Sequence, residues 1–378
     1  MKSVMGIIYT NKDDLSLREL TSQRSVAALP LAGRYRVVDF ILSSMANSGI
    51  RNVGVIMQRN YRSLMDHLGA GKEWDLHTRN NGLFILPPFV TQENGGEYTG
   101  VLDALRANFD YLRRSNQKLA ILTNSNMVFN MNFESMIRRH EETDADITLL
   151  YTKVRKNMEL GSTNKRTHAF LQVDEEGRVT DMEVNPNAAS YDNMYMNVLL
   201  VKRTLLIHLV DGAAAHGSHD INRELLQPSI KSGSLKVYGY EFTGYYRRIE
   251  TIKSYFRCNM DLLDAGVRRE LFNMTNPVYT KTRDDVPAIY RDANSVRNSL
   301  VGDGCVIEGN VENCVLFRGV HIGRGASVKN AIIMQDSEVE DFVELENVIL
   351  DKNVTIRNHG RLIGQSQYPI VIGKNVTL

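Results

Sequence analysis

Few residues of this 378-residue chain stand at spacings that announce chemistry. His216-Gly217-Ser218-His219-Asp220 sets two imidazoles and a carboxylate close together, side-chain types that can hold zinc. The short spacing and turn-like composition equally fit a loop held for structural reasons. Three cysteines, Cys258, Cys305 and Cys314, are odd in number and form no CxxC pair, which argues against a disulfide framework or a cysteine zinc site. Asn94-Gly95-Gly96-Glu97 is a lone glycine pair and reads as a loop.

Elements must position any such residues, and the first 250 or so alternate between two periodicities. Val4–Tyr9, Val53–Met57, Leu119–Thr123, Ile147–Thr152 and Met196–Val201 are short and apolar on both faces, as buried parallel strands are. Between them, Asp103–Arg114 places Leu105, Phe109 and Leu112 on one helical face. Strands separated by helices predict an α/β open sheet, doubly wound and Rossmann-like, with ligands outside the carboxyl ends of its strands. The stretches to watch are Thr10–Leu17, Gln58–Arg62 and Asn124–Phe129.

The last 80 or so residues follow another rule. Aliphatic residues recur at Val306, Val311, Leu316, Ile322, Val328, Ile333, Val339, Leu345, Leu350 and Ile356, in steps of 5 or 6. That period predicts a parallel β-helix, left-handed, with one inward aliphatic residue per hexad. His321 and His359 fall within it, where a histidine at a coil junction can serve as general base for acyl transfer. No long extruded loop accompanies them. The expected organisation is an α/β domain over 1–255, helix and linker over 256–294, and the β-helix over 295–378.

Composition excludes several classes. The chain is 43% hydrophobic and 24% charged, ordinary for a globular protein and unlike a disordered one. With 45 basic against 44 acidic residues, it lacks the surplus of a protein that neutralises nucleic-acid phosphates. No apolar run approaches the roughly 20 residues that span a bilayer, and residues 1–10 lack a signal-peptide pattern. The expectation is a cytoplasmic protein with no membrane or nucleic-acid partner.

Residues 21–57 are more specific. Gly33-Arg34-Tyr35-Arg36, Val38-Asp39-Phe40, Leu42-Ser43 and Asn47-Ser48-Gly49-Ile50 resemble the sugar-nucleotide pyrophosphorylases, and among them ADP-glucose pyrophosphorylase (glucose-1-phosphate adenylyltransferase) of glycogen synthesis. Gly100 with Asp103-Ala104, Ser218-His219-Asp220, and Thr251 with Ser254-Tyr255, Asn259 and Leu262-Leu263 extend the resemblance over nearly the whole chain. It implies a reaction in which glucose-1-phosphate attacks the α-phosphate of ATP. Such chemistry needs a glycine-rich phosphate loop, a basic residue on the leaving pyrophosphate, and carboxylates for magnesium.

Position by position, this sequence departs from the pattern that the resemblance implies. Where the family carries GGxGTRL, it has Asn11-Lys12-Asp13-Asp14-Leu15-Ser16-Leu17, with no glycine and with Ser16 at the arginine position. RAKPA becomes Arg24-Ser25-Val26-Ala27-Ala28, with Val26 at the lysine. GDH becomes Asn124-Ser125-Asn126, which puts Ser125 at a magnesium aspartate. WxDVGT becomes Tyr246-Arg247-Arg248-Ile249-Glu250-Thr251, which puts Arg248 at the second. EKP becomes Val184-Asn185-Pro186, so the sugar-phosphate lysine is Asn185, although a one-residue shift would offer Glu183 for the lost glutamate. The GTAD-like element is Gly100-Val101-Leu102-Asp103, its hydroxyl lost to Val101.

The sequence therefore resembles the non-catalytic, regulatory subunit type of that family. The resemblance implies a heterotetramer with a catalytic paralogue, no metal or other cofactor held by this chain, and magnesium used by the paralogue. It further implies a basic set that binds a phosphorylated sugar effector, for which Arg24, Arg36 and Lys352 are the candidates here. Arg24 and Arg36 equally suit bracing of a domain interface. Two other readings stay open. One is an active, divergent enzyme with Asp13, Asp14 or Asp39 as improvised ligands. The other is a sensor that binds nucleotide or sugar phosphate without turnover.

Overall fold

The computed structural model describes residues 3–10, 15–78, 81–88, 98–154, 168–291 and 295–378. Residues 11–14, with Asp13 and Asp14, and the loop 94–97 lie outside the described residues.

The α/β domain is built on one sheet of nine strands: β1 (Val4–Tyr9), β2 (Asn52–Ile56), β3 (Gly82–Leu86), β4 (Leu119–Asn124), β5 (Ile147–Lys153), β6 (Ala169–Val173), β7 (Val179–Val184), β8 (Asn193–Lys202) and β9 (Val237–Glu241). The order is β7-β6-β8-β4-β1-β2-β3, with β5 paired to β8 and β9 paired to β5. Both faces are covered, as a double-wound sheet requires. Val4 and Ile8 of β1 pack with Val38, Ile41 and Met45 of helix α1 (Val37–Asn47). Met5, Ile7 and Tyr9 pack on the other face with Leu102, Leu105, Phe109 and Leu112. Gly6 lets α1 approach closely, since a Cβ there would lie 2.5 Å from the Met45 sulfur.

Two sequence expectations are adjusted. The run Met196–Val201 lies in β8, which pairs antiparallel with β4 rather than parallel. A continuous apolar run reports burial on both faces and carries no strand direction. The helix expected over 103–114 is two short ones, α2 (Val101–Ala107) and α3 (Phe109–Arg114), broken at Asn108. The Asn108 amide donates to the Ala104 carbonyl at 2.8 Å, a side-chain bond that competes with the helical ladder.

The C-terminal half is the expected left-handed parallel β-helix. Its rungs stack in parallel register, Ile289↔Val306, Val306↔His321, His321↔Glu338 and Glu338↔Thr355, one coil every 15 or 17 residues. The first rung, Ile289–Tyr290, precedes the expected start at residue 295. Nine of the ten periodic aliphatic positions are fully enclosed, from Val311 to Ile356. At the first, Val306 is half-buried and Ile307 points inward. Asn298, Asn313, Asn330 and Asn347 turn one corner with φ of 42°, 53°, 47° and 51°. Asparagine tolerates this region because its short amide bonds locally, and here Asn298 donates to the Asn313 side chain at 2.8 Å.

The two halves share a core. Leu17, Leu20, Val26, Leu29 and Phe40 pack in one cluster with Tyr255 and Phe256 and with Val315, Phe317, Ile332 and Ile349 of the β-helix. Helix α4 (Ile252–Asp261) sits between them. It starts on a capping box, in which the Thr251 hydroxyl accepts from Ser254 N and the Ser254 hydroxyl accepts from Thr251 N.

Candidate functional site

The resemblance motifs that this sequence retains turn out to be brackets of the scaffold. Ser43 Oγ accepts from Tyr279 N at 2.8 Å, and Asn47 donates to the Pro277 carbonyl at 2.9 Å, so α1 holds the segment leading to the β-helix. Ser48 Oγ accepts from Phe133 N at 2.7 Å. Tyr255 donates to the Pro30 carbonyl at 2.6 Å, and Asn259 accepts from Ala32 N at 3.2 Å. Gly100 is forced by His219, whose carbonyl oxygen would lie 2.2 Å from a Cβ there. Asp220 caps the next helical turn by accepting from Asn222 N and Arg223 N. The His216–Asp220 segment thus serves as a loop anchor. Among the described residues, no three His, Cys, Asp or Glu side chains are grouped to hold a metal ion.

The departures from the pattern gather at the carboxyl ends of the strands. Ser125 and Asn126 follow β4, and Arg247–Arg248 pairs antiparallel with Met127–Val128. Ile249 N donates to the Asn126 carbonyl at 2.8 Å, so the two positions aligned with magnesium aspartates are neighbours in space. The Arg248 guanidinium is buried there. It donates to the Tyr195 carbonyl and the Tyr246 hydroxyl at 3.2 Å each, meets His168 Nδ1 at 3.3 Å, and lies 3.6 Å from the Glu250 carboxylate. His168 is itself 3.4 Å from Glu250. Burial pulls Arg248 down, and its neighbours Tyr246 and Glu250 more than offset that, so its pKa is raised and it stays charged.

This donor set does not fit magnesium. The ion takes oxygen ligands, chiefly carboxylates, whereas a fixed cation, a neutral hydroxyl and one carboxylate already paired to that cation stand here. Asn185 sits just past β7 with φ of 55°, and its N–H donates to the His168 carbonyl at 2.8 Å, so the position where the resemblance implies a lysine holds a short amide in a tight turn. Four buried polar atoms around this floor, Ser125 Oγ, Asn126 Oδ1, His168 Nε2 and Asn185 Oδ1, have no hydrogen-bond partner among the described residues.

Ser16 is the second residue of a 3-10 stretch, Leu15–Thr21, whose Leu17 and Leu20 enter the shared core. The valine at position 26 has a visible reason as well. Val26 is buried in that core beside Leu29, Tyr255 and Val315, where an ammonium would be stranded. Asp39 is not available as an improvised ligand, because its two oxygens accept from Arg36 N at 2.9 Å and meet His67 Nε2 at 2.6 Å.

A second concave site lies where the two halves meet. A cavity of about 280 Å³ is lined by Gly33, Arg34, Arg36 and His67 of the first half, by Lys281 and Arg283 of the connection, and by Arg318 and Lys352 of the β-helix. The candidates Arg36 and Lys352 both face it. Arg36 Nη1 donates to the Ser63 carbonyl at 2.6 Å and hydroxyl at 3.0 Å, which fixes the fork beside the opening. Burial, opposed by Asp39, brings Arg36 down to about 10, still fully charged near neutrality. Arg24 lies one layer behind the wall, 5% exposed. It forms an ion pair with Asp351 of the β-helix and donates to the Leu20 carbonyl at 3.0 Å. Sequence reasoning missed Arg34, Lys281, Arg283 and Arg318. Arg34 stands in a motif that carries the resemblance, and the others carry no local signal because two separate segments, the connection and the β-helix, supply them.

His321 stands between Glu308 at 3.4 Å and Glu338 at 3.6 Å on the outer face, and His359 stacks on Phe342 with ring centroids 5.4 Å apart. Neither histidine lines the interdomain cavity.

Comparison with known proteins agrees with this division. The family model described as nucleotidyl transferase matches residues 16–265, and one described as GlmU-like, C-terminal hexapeptide matches 287–368. The glycogen biosynthesis protein GlgD of Bacillus subtilis (strain 168) is 35% identical over 99% of this chain and 96% of its own length. GlgD of Geobacillus stearothermophilus is 36% identical over 86% of this chain and 82% of its own. A glucose-1-phosphate adenylyltransferase of Halalkalibacterium halodurans is 32% identical over 86% and 84%. No helix among the described residues is long and apolar enough to cross a membrane. With a scaffold and a hexapeptide domain matched along its length, the chain belongs to the nucleotidyl transferase family, in the group that holds GlgD proteins and glucose-1-phosphate adenylyltransferases.

Proposed function

We propose that this chain is a regulatory, catalytically silent subunit of glucose-1-phosphate adenylyltransferase in bacterial glycogen biosynthesis. It works in the cytoplasm, in a heterotetramer with a catalytic paralogue that makes ADP-glucose from ATP and glucose-1-phosphate. The observation that carries the reading is Arg248, a buried and charge-compensated guanidinium at the position of a metal carboxylate. Magnesium chemistry then belongs to the paralogue, and this chain holds no cofactor of its own. The interdomain cavity, rich in arginine and lysine, supports the complementary half of the proposal, a site for a phosphorylated sugar effector. Because both halves of the molecule line that cavity, an anion bound there bears on their packing, and a coupling free energy can pass to subunit contacts.

The test is ADP-glucose formation by the purified chain, with magnesium, ATP and glucose-1-phosphate, alone and then with the paralogue. The expected result is silence alone and a shifted rate or effector response in the mixture. Turnover by this chain alone at the paralogue's rate would sink the proposal.

A further inference from the structure

The interdomain cavity contains more cations than it can pair. From the first half come Arg34 and Arg36, with Asp66 and His67. The connection adds Lys281, whose ammonium donates to the Asp66 carbonyl at 2.9 Å, and Arg283. The β-helix adds Asp303 and Arg318, and Arg318 lies 3.9 Å from both Asp285 and Asp336. Lys352 comes from the turn after the rung Glu344–Leu350.

The neighbours of Lys352 compensate its ammonium only in part, since Asp351 alone opposes three cations. Its charged neighbours of like sign are Arg36, Arg24 and Lys374 of the last coil. The carboxylate next to it, Asp351, is spent: Oδ2 is held by Arg24, and Oδ1 accepts the Lys352 backbone N–H at 2.7 Å. Among the described residues the Lys352 ammonium has no ion pair. In a partly buried cluster of like charges, the group that can relieve repulsion is the one able to lose its proton. Guanidinium cannot do so near neutrality, and an amine can. Burial first, then Arg36 and Arg24, outweigh the opposing Asp351 and lower Lys352 to about 7, so without a ligand the amine is partly neutral at physiological pH.

We propose that the interdomain cavity is a proton-coupled anion site, in which a phosphate- or sulfate-type dianion enters together with one proton taken from solvent onto Lys352 Nζ. The proposal rests on the reading of this cavity as an effector site and adds its regulation. The neutral amine becomes an ammonium, the dianion supplies the counter-charge that the fold withholds, and no other bond changes. Anion affinity then falls as pH rises above neutrality, by about tenfold per pH unit while one proton is coupled.

Sulfate is the probe, because it does not titrate in this range. Its binding to the full chain is measured by calorimetry at pH 7.5 and 9.0 and constant ionic strength, in two buffers of different ionisation heat. The expected result is a loss of affinity of about thirtyfold across that interval, with close to one proton taken up per sulfate at pH 9.0. Lys352→Met is expected to bind more weakly with a flat pH profile. Lys352→Arg, which keeps its charge, is expected to bind at both pH values with no proton uptake, and it serves alone if the methionine variant does not fold. Sulfate binding that is unchanged between the two pH values, or a pH dependence that survives in Lys352→Arg, overturns the coupling and leaves the anion site intact. Absence of sulfate binding at either pH overturns the anion-site reading beneath it.

Discussion

At position 248 a guanidinium lies among the Glu250 carboxylate, the His168 ring and the Tyr195 carbonyl. Breaking such a buried set costs several kcal/mol, so the cation holds its place as firmly as a ligand would. Ser125 sits beside it, its hydroxyl without a hydrogen-bond partner among the described residues. The pair Ser125→Asp and Arg248→Asp would put two carboxylates next to Glu250, an oxygen-rich set that suits Mg²⁺ or Mn²⁺. The expected outcome is a variant less stable than the parent without metal, whose melting temperature rises with Mn²⁺, against no Mn²⁺ response in the parent. A variant that melts at the same temperature with and without Mn²⁺ would mean that the two positions do not converge as described.

One of the elements in which this chain departs from the pattern that the resemblance implies is the segment between β1 and α1. There the 3-10 turn Val26–Ala28 delivers its first residue into the apolar layer shared by both halves. A lysine in place of Val26 would restore the residue type implied by the resemblance, yet its ammonium would enter among Leu29, Tyr255 and Val315. Val26→Lys is therefore expected to destabilise the fold by about 2–4 kcal/mol, with the loss shrinking as pH rises and the amine neutralises. The sign follows from linkage: a lysine depressed in the native state binds fewer protons than in the unfolded chain, so stability increases with pH between the two pKa values. Urea denaturation at pH 7 and pH 10 checks both the size and the direction.

For the whole molecule, the Arg24–Asp351 pair closes the seam between halves that already share one core. Its side chains are 6% and 1% exposed, which places it with buried pairs rather than screened surface ones. Asp351→Ala leaves Arg24 uncompensated and should cost about 3–5 kcal/mol, while Arg24→Met combined with Asp351→Leu should recover most of it. Thermal unfolding of the three chains decides the matter, and a single variant as stable as the parent would show that the seam is held by apolar packing alone.

The sequence by itself determined the strands β1, β2, β4 and β5, because burial on both faces writes itself as continuous apolar runs. It also determined the coils of the β-helix, because each turn must present an aliphatic residue inward at a fixed step. The departures from the resembled pattern at Val26, Ser125, Asn185 and Arg248 are facts of residue type and need no fold to be read. Direction and phase were not: β8 runs antiparallel, Ile307 rather than Val306 faces inward, and Asn108 divides a helix that periodicity left whole. The tertiary structure alone decided the roles of the basic residues. Arg24, Arg36 and Lys352 carry the same sign in the sequence, but one is neutralised by Asp351, one is fixed on Ser63, and one faces the cavity without a partner among the described residues. Charge is a property of a residue. Whether that charge is compensated depends on groups as many as 327 positions away, which only the folded chain brings within reach.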